Sequence, residues 1–179
     1  YRKDLSPLNL DQVQAIVDRV LRVEKTRLAL SFLVQMGPHD AAIVFSTHPE
    51  TLHSICKHMG GRARVIDGAT GSAERIAHVQ DFERGDIDVL LLSTGAGACG
   101  LNCQRANYVF LMDPRENPTD DTQAVGRAWR MGQTQTVTVY RFAAEDTVDV
   151  RVLRRGAVKT GMAHSITHTC LLYTSDAAD

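Results

Sequence analysis

The run Gln123-Ala-Val-Gly-Arg-Ala-Trp-Arg-Met-Gly-Gln133 holds two arginines and a glutamine in a pattern suited to phosphate chemistry. The sequence predicts a helix from Pro118 to Met131, which places Gln123, Arg127 and Arg130 at i, i+4 and i+7 on one helix face. Two guanidinium groups on so short a face repel each other unless an anion lies between them, and their planar forks suit phosphate oxygens. The spacing alone also fits a solvated arginine face.

Arginines held in this way stabilise the charge that develops when a γ-phosphoryl group leaves, an effect of roughly 10³ to 10⁵ in rate. Gln123 is placed to orient a phosphate oxygen or a water molecule. On the neighbouring helix face Ala124, Ala128 and Met131 form an apolar stripe, which we expect to pack on a sheet. We expect Gly132 to end this helix in the left-handed conformation.

A glycine-rich segment, Gly95-Ala-Gly97-Ala-Cys-Gly100, follows the apolar run 88–93 and imitates the dinucleotide-binding fingerprint. Only residues 101–107 separate Gly100 from the next predicted strand, too few for the helix that a parallel crossover requires. We therefore interpret the segment as a turn at the carboxyl end of a strand, where backbone N–H groups and the Ser93 and Thr94 hydroxyls can meet phosphate oxygens. Glycines that serve only tight packing are the alternative.

These residues are positioned by alternating strand and helix patterns, which predict an α/β fold with a parallel sheet covered on both faces. The predicted strands are Ala41–Phe45, Ala63–Ile66, Asp88–Ser93, Tyr108–Met112 and Thr136–Phe142. The predicted helices are one or two over Leu10–Gln35, then Pro49–Met59, Ser72–Arg84 with Ser72 as the cap, Pro118–Met131 and Val148–Arg155.

The composition bounds the class of protein. A chain of 179 residues with 44% hydrophobic content can bury one core, so we expect one domain. No apolar run is long enough to span a membrane and no secretory signal opens the chain, which predicts a soluble intracellular protein. Because the chain begins at Tyr1, we expect it to be part of a longer protein.

The last ten residues, Cys170–Asp179, resemble the translation of a sequencing adapter, and we leave them out of the fold prediction. Leaving them out removes two acidic residues and changes the formal charge from −1 to +1. The other cysteines, Cys56, Cys99 and Cys103, lack paired spacing and are interpreted as reduced thiols. Three histidines spaced five residues apart share no helix face, so we predict solvated side chains and no metal site; they are His48, His53 and His58.

From about Ala41 to Arg154 the chain resembles the C-terminal helicase lobe of superfamily-two ATPases of the Swi/Snf type. The motifs that carry the resemblance are Ala42–Thr47 (motif IV), Asp67-Gly68, Ser93–Asn102 (motif V), Asp113-Pro with Asn117-Pro118, and Gln123–Gln133 (motif VI). The resemblance implies a RecA-like three-layer α/β/α domain with a mainly parallel sheet over residues 38–160, after a helical lead-in (1–37) and before a tail (161–179).

By that resemblance the chain is the second motor lobe of an ATP-dependent DNA translocase in chromatin remodelling or DNA repair, located in the nucleus and inactive without the first lobe. Its implied partners are that first lobe and duplex DNA or nucleosomes. The implied cofactor is ATP with Mg²⁺, the metal being held mainly by the first lobe, because this chain has no phosphate loop. The implied catalytic residues are Arg127 and Arg130, as arginine fingers, and Gln123. Nucleotide-coupled positions would be Gly97, Gly100 and Asn102, and nucleic-acid contacts would come from Ser46, Thr47, Ser93 and Thr94.

Three positions depart from the family pattern. Gly95 stands where Lys is usual, Ala98 where Gly is frequent and Gly126 where Asp is frequent. The change at Gly95 removes one phosphate contact and leaves open a non-catalytic module that binds nucleic acid or a partner. A lobe of an RNA helicase is the other alternative, and the Arg-x-Gly-Gln ending of motif VI disfavours it.

Overall fold

The computed structural model describes residues 10–95, 101–115, 117–129, 133–145, 147–160 and 169–172. In chain order the elements are α1 (Leu10–Val34), β1 (Ala42–Ser46), α2 (Pro49–Met59), β2 (Ala63–Ile66), α3 (Ser72–Arg84), β3 (Val89–Ser93), β4 (Tyr108–Leu111), α4 (Pro118–Val125), β5 (Thr138–Ala144), α5 (Val148–Thr160) and β6 (Thr169–Leu172). None of the described helices is long and apolar enough to cross a membrane.

The strands form one parallel sheet in the order β2-β3-β1-β4-β5-β6. The first five are the strands predicted from the sequence, and β1 lies between β3 and β4, with Val44 paired to Leu91 on one side and to Phe110 on the other. The sixth strand begins at Thr169, and its other residues belong to the last ten, which the fold prediction left out. The α/β class with a parallel sheet is thus confirmed.

Helices cover both faces of the sheet, because each central strand is apolar on both sides. From β1, Ile43 and Phe45 enter a core with Phe82 of α3 and Ala124 of α4. Ala42 and Val44 enter the opposite core, to which α1 and α2 contribute. The side chains that those helices provide there are Ala29, Leu33, Leu52, Ile55 and Met59.

The residues that directly precede β4 contribute to the core without forming a helix. Residues 101–107 contain no helix, in agreement with the argument against a dinucleotide fold, and Cys103 and Ala106 are fully buried in the core with Ala128. The backbone N–H of Cys103 donates to the carbonyl of Arg127 at 3.2 Å. This bond joins the segment after β3 to the turn that carries the predicted arginine.

Two details of the helix predictions were wrong. Ser72 is the first helical residue of α3 and not its cap; Gly71 precedes it as the cap and accepts from the N–H of Arg75 with its carbonyl. The predicted helix 118–131 ends earlier, at Val125, and Arg130–Gly132 lie outside the described residues.

The end of α4 has a local cause at Gly126. A Cβ at that position would lie 3.2 Å from the Thr122 carbonyl oxygen, and glycine costs about 1 kcal/mol relative to alanine inside a helix. Beyond it the N–H groups of Arg127 and Ala128 donate to carbonyls three residues back, at 3.2 and 3.0 Å. Arg127 therefore lies on a tight turn, while Ala124 and Ala128 are buried as the apolar stripe predicted.

Candidate functional site

A cleft of about 390 Å³ opens at the carboxyl ends of the central strands, where ligands of open parallel sheets bind. Its walls come from β1, the turn after β3, the segment after β4, and α4 with the turn that follows. The lining residues are Phe45, Thr47, Thr94, Gly95, Arg115, Asp120, Gln123, Ala124 and Arg127. Four predicted site residues, Thr47, Thr94, Gln123 and Arg127, are thus brought together from three separate motifs.

Asp113 holds the strand ends together below the cleft. One of its carboxylate oxygens accepts from the Ser46 hydroxyl at 2.8 Å, from the Thr47 N–H at 2.6 Å and from the Thr47 hydroxyl at 2.9 Å. The Thr94 N–H donates to the Ser46 carbonyl at 3.1 Å. Because β1 lies between β3 and β4, these bonds connect all three strand ends.

The polar residues at and just beyond the ends of these strands differ in their exposure to solvent. Ser46 is only 1% exposed, and its hydroxyl also accepts from the His48 N–H at 3.0 Å, so it supports its neighbours within the fold and Thr47 takes the exposed position. Ser93 is buried, and Thr94 is half-buried on the cleft wall. Gly95 is exposed, and a Cβ there would meet no atom within 4 Å. The lysine that is usual here in the family would therefore meet no steric obstacle at its Cβ.

The arginine side of the cleft contains one residue, Arg115, that belongs to none of the sequence motifs. Arg127 is half-buried, and its Nη1 is 3.5 Å from the Leu101 carbonyl oxygen, a long hydrogen bond and the only one that its guanidinium makes to the described residues. Arg115 also lines the cleft. Its sequence signal is a basic residue two positions after Asp113, just beyond β4. Gln123 and Asn102 are exposed, whereas Gly97, Gly100 and Arg130 lie outside the described residues.

Comparison with known families decides what this cleft belongs to. A model described as "Helicase conserved C-terminal domain" matches residues 24–132, more than half of the chain. The chain belongs to the helicase C-terminal domain family. The match takes in the second half of α1, the central strands and every residue that lines the cleft.

Relatives of this helicase C-terminal domain are Swi/Snf-related ATPases. The chain is 32% identical to the DNA repair protein rhp54 of Schizosaccharomyces pombe (75% of this chain, 16% of that protein). It is 46% identical to the human chromatin-remodeling ATPase INO80 (53% and 6%) and 42% identical to the Arabidopsis thaliana protein CHROMATIN REMODELING 20 (75% and 10%). The chain thus spans less than a fifth of each relative.

The fold comparison agrees with the family. The crystal structure of the C-terminal part of the Fun30 ATPase domain matches with a TM-score of 0.65 and 28% identity, over 73% of this chain and 44% of that one. The flanked parallel sheet is therefore the sheet of a Swi/Snf-type ATPase lobe.

Gln133, the last residue of the motif VI run, has a structural part in the helicase domain. Its side-chain amide donates to the carbonyls of Gln104 at 2.7 Å and Ala106 at 2.9 Å, and lies 3.4 Å from that of Ala128. One side chain thereby donates hydrogen bonds to carbonyls of two segments. One is the segment before β4, and the other is the turn at residues 126–129 that carries Arg127, here called the arginine turn. Gln133, known from the sequence only as the end of a family motif, here helps to hold the turn with Arg127 in place.

Two adjacent acids on α4 have different surroundings. Asp120 lines the cleft, whereas Asp121 is buried and accepts from Arg141 Nε at 3.2 Å. Burial raises the pKa of Asp121, and the Arg141 guanidinium opposes that rise. The other oxygen of this carboxylate has no hydrogen-bond partner in the described part of the chain. The pair fixes α4 against β5 from beneath the cleft.

The charges at the cleft suit an anion. Among the described residues that line it, Arg115 and Arg127 are accompanied by one carboxylate, that of Asp120, and by the hydroxyls of Thr47 and Thr94. No group of three histidine, cysteine or acidic side chains that could hold a metal ion occurs among the residues described. His53 instead contacts Asp67 at 2.9 Å, and that hydrogen bond is the main cause of the lowered pKa of Asp67. The cleft therefore offers cationic donors for phosphate groups.

Proposed function

We propose that this helicase C-terminal domain, residues 38–160, is the second motor lobe of a nuclear ATP-dependent DNA translocase of the chromatin-remodelling or DNA-repair type. It would act with the first lobe of the same protein on duplex DNA or nucleosomes. The observation that carries the proposal is the single cleft in which Arg127 and Gln123 meet Thr47 and Thr94. The proposed nucleotide contacts would thus lie beside the proposed DNA contacts.

The arginine turn would complete an ATP site formed mainly by the first lobe. ATP supplies a γ-phosphoryl group whose departure builds up negative charge. The Arg127 guanidinium makes only the long bond to Leu101 among the described residues, so its other donors would point to phosphate. Arg130 would act with it as the second finger, while Gln123 would orient a phosphate oxygen or water. Mg²⁺ would be held mainly by the first lobe, in keeping with the cationic character of this cleft.

The opposite wall would contact the DNA backbone. Thr47 and Thr94 offer hydroxyls and backbone N–H groups, which bind phosphates without reading base sequence. Ser46 and Ser93 would support this wall from below. Gly97, Gly100 and Asn102 of motif V would link the DNA contacts to the nucleotide.

The hydrogen bonds of Asp113 supply a physical reason for coupling between the two walls. They bind the ends of β1 and β4 into one unit, and the bond from Thr94 to Ser46 adds β3. A phosphate pulled against Thr47 would therefore displace the whole strand edge, including the segment that carries Arg115. In this way closure of the two lobes would move the residues that contact DNA, Thr47 and Thr94, together.

The test uses the complete two-lobed protein. Arg130→Ala and Arg127→Ala should each lower kcat by roughly 10³ to 10⁵, the usual effect of an arginine finger, and leave DNA affinity nearly unchanged. Arg27→Ala, on the exposed surface of α1, is the matched control and should keep wild-type turnover. Unchanged turnover in the Arg130 variant would refute the finger assignment.

The same assay separates the alternatives. The open space at Gly95 favours a non-catalytic binding module as the second candidate, because a family lysine is missing where it would fit. Absence of ATP turnover in the wild-type two-lobed protein, with DNA binding retained, would establish that module. Stimulation of turnover by RNA and not by duplex DNA would instead identify an RNA helicase.

A further inference from the structure

The first half of α1 presents an apolar stripe to solvent. Ile16, Val20 and Val23 follow one another at i, i+4 and i+7 and are 51%, 55% and 59% exposed. α1 has 25 residues and α2 only 11, and the part of α1 that enters the core, around Ala29 and Leu33, is its second half. The stripe therefore lies on the first half of α1, before the half that packs in the core.

A groove of about 640 Å³ between α1 and α2 continues this stripe. Val23 and Leu30 supply its apolar floor, and Thr26, Thr51 and Ser54 lie along it. It lies on the α1 and α2 side of the sheet, whereas α4 and the arginine turn pack on the opposite side. The groove is thus separate from the candidate ATP and DNA cleft.

Positive charge surrounds the groove. Arg19, Arg22 and Arg27 line it, against one acidic residue, Glu50. Arg27 is paired with Glu24 of its own helix, but the guanidinium groups of Arg19 and Arg22 form no ion pair with any described residue. An apolar floor edged by unpaired arginines is complementary to an apolar stripe edged by carboxylates.

We propose that the groove binds an amphipathic helix of a partner protein, whose acidic residues flank its apolar stripe. Its apolar side chains would pack on Ile16, Val20 and Val23, because helices dock through residues at this spacing. Its carboxylates would pair with Arg19 and Arg22. A second copy of the chain fits less well, because a two-fold contact would bring the same arginine-lined groove against itself.

The test measures the binding of two designed peptides to the full chain by fluorescence anisotropy. Both are fluorescein-labelled helices with the same leucine stripe, one flanked by glutamates and the other by lysines. We expect the glutamate peptide to bind and the lysine peptide to bind at least about tenfold more weakly, a difference of about 1.4 kcal/mol. No binding of the glutamate peptide, or equal binding of both, would overturn the proposal.

Charge reversal locates the site. Arg19→Glu with Arg22→Glu should invert the preference, so that the lysine peptide binds better, and Val20→Glu should weaken both peptides. The matched control, Arg154→Glu with Arg155→Glu, reverses two exposed arginines of α5 and should change neither affinity. All these side chains are at the surface, so a urea midpoint close to that of the wild type is expected and confirms that each variant is folded.

Two further measurements distinguish other occupants. Sedimentation that shows a dimer abolished by Val20→Glu would assign the groove to a second copy of the chain. Loss of duplex-DNA affinity in the Arg19 and Arg22 variant, with no peptide binding in the wild type, would assign it to DNA. Either result would overturn the acidic helix as its ligand.

Discussion

The buried pair Asp121–Arg141 shows how one residue's surroundings set its chemistry. Asp120 and Asp121 are adjacent in sequence, yet only Asp121 is buried, with its pKa raised chiefly by burial and lowered in part by Arg141. A carboxyl with a raised pKa in the folded state stabilises the fold at low pH, and that contribution is lost as pH rises through the folded pKa. Arg141 limits this loss.

Replacement of Arg141 by methionine should therefore give a pH-dependent loss of stability. We expect a cost of about 3 kcal/mol at pH 7, the low end for breaking a buried pair, since the Arg141 side chain is 30% exposed. The loss should shrink as pH falls, because the raised pKa of Asp121 favours protonation of its carboxyl in the folded protein. Urea unfolding from pH 4 to 8 measures it. Arg154→Met is the exposed control, and a loss that did not vary with pH would contradict the assignment.

At this scale the motifs predicted four of the cleft-lining residues, but not Arg115 or the residues that support the cleft. Thr47, Thr94, Gln123 and Arg127 belong to recognisable runs, and all four line the cleft. The parts played by Asp113, Arg115 and Gln133 depend on which strand end lies beside which turn. Sequence spacing carries no such information, because the strand order is a property of the folded sheet.

Among the elements, those with strong start and stop residues were predicted best. The structure gives α2, β2 and α3 the bounds that the sequence predicted, since Pro49 opens α2, Gly60 follows it and Gly85 closes α3 in the left-handed conformation with φ of 86°. The end of α4 was missed because the apolar periodicity continues through Ala128. The helix stops where Gly126 and the hydrogen bond from Cys103 to Arg127 favour a tighter turn.

Gly85, which ends α3, allows a prediction about the free energy of unfolding, and Gly61 of the same domain serves as its control. Alanine there should lower the free energy of unfolding by about 1 to 2 kcal/mol, the cost of a left-handed backbone with a Cβ. Its Cβ would lie 3.6 Å from the Arg105 guanidinium, an ordinary contact, so the cost comes from the backbone. Gly61→Ala, where a Cβ meets no atom within 4 Å, should be neutral or slightly stabilising. Urea denaturation of both variants measures the difference, and equal midpoints would be contrary to this account.

For the whole molecule, the alternation of strands and helices in the sequence was enough to predict a parallel sheet but not the order of the strands within it. The order β2-β3-β1-β4-β5 makes neighbours of the three strand ends that carry the motifs, and this adjacency makes one site of distant sequence segments. Only the family resemblance grouped residues of β1 and β3, as shared nucleic-acid contacts. The resemblance also anticipated a shared ATP site, of which this chain would hold one side.

A shared site predicts that the isolated chain is inactive as an ATPase. With ATP, Mg²⁺ and duplex DNA, phosphate release should remain at the background rate, because the chain has no phosphate loop to hold the nucleotide. Weak DNA binding that falls steeply with salt is expected in the same samples, since phosphate contacts release counterions. A coupled phosphate assay and a salt titration measure the two properties. DNA-stimulated turnover by the chain alone would contradict the division of the site between lobes.

Trp129 is the only tryptophan of the chain, lies two residues beyond Arg127 and is 73% exposed. The intrinsic fluorescence of the domain therefore comes largely from one position, at the edge where a first lobe would close. A closure that removed water from the indole would shift the emission to shorter wavelength without any added label. The same turn that would supply a finger to ATP thus contains an optical probe of lobe closure.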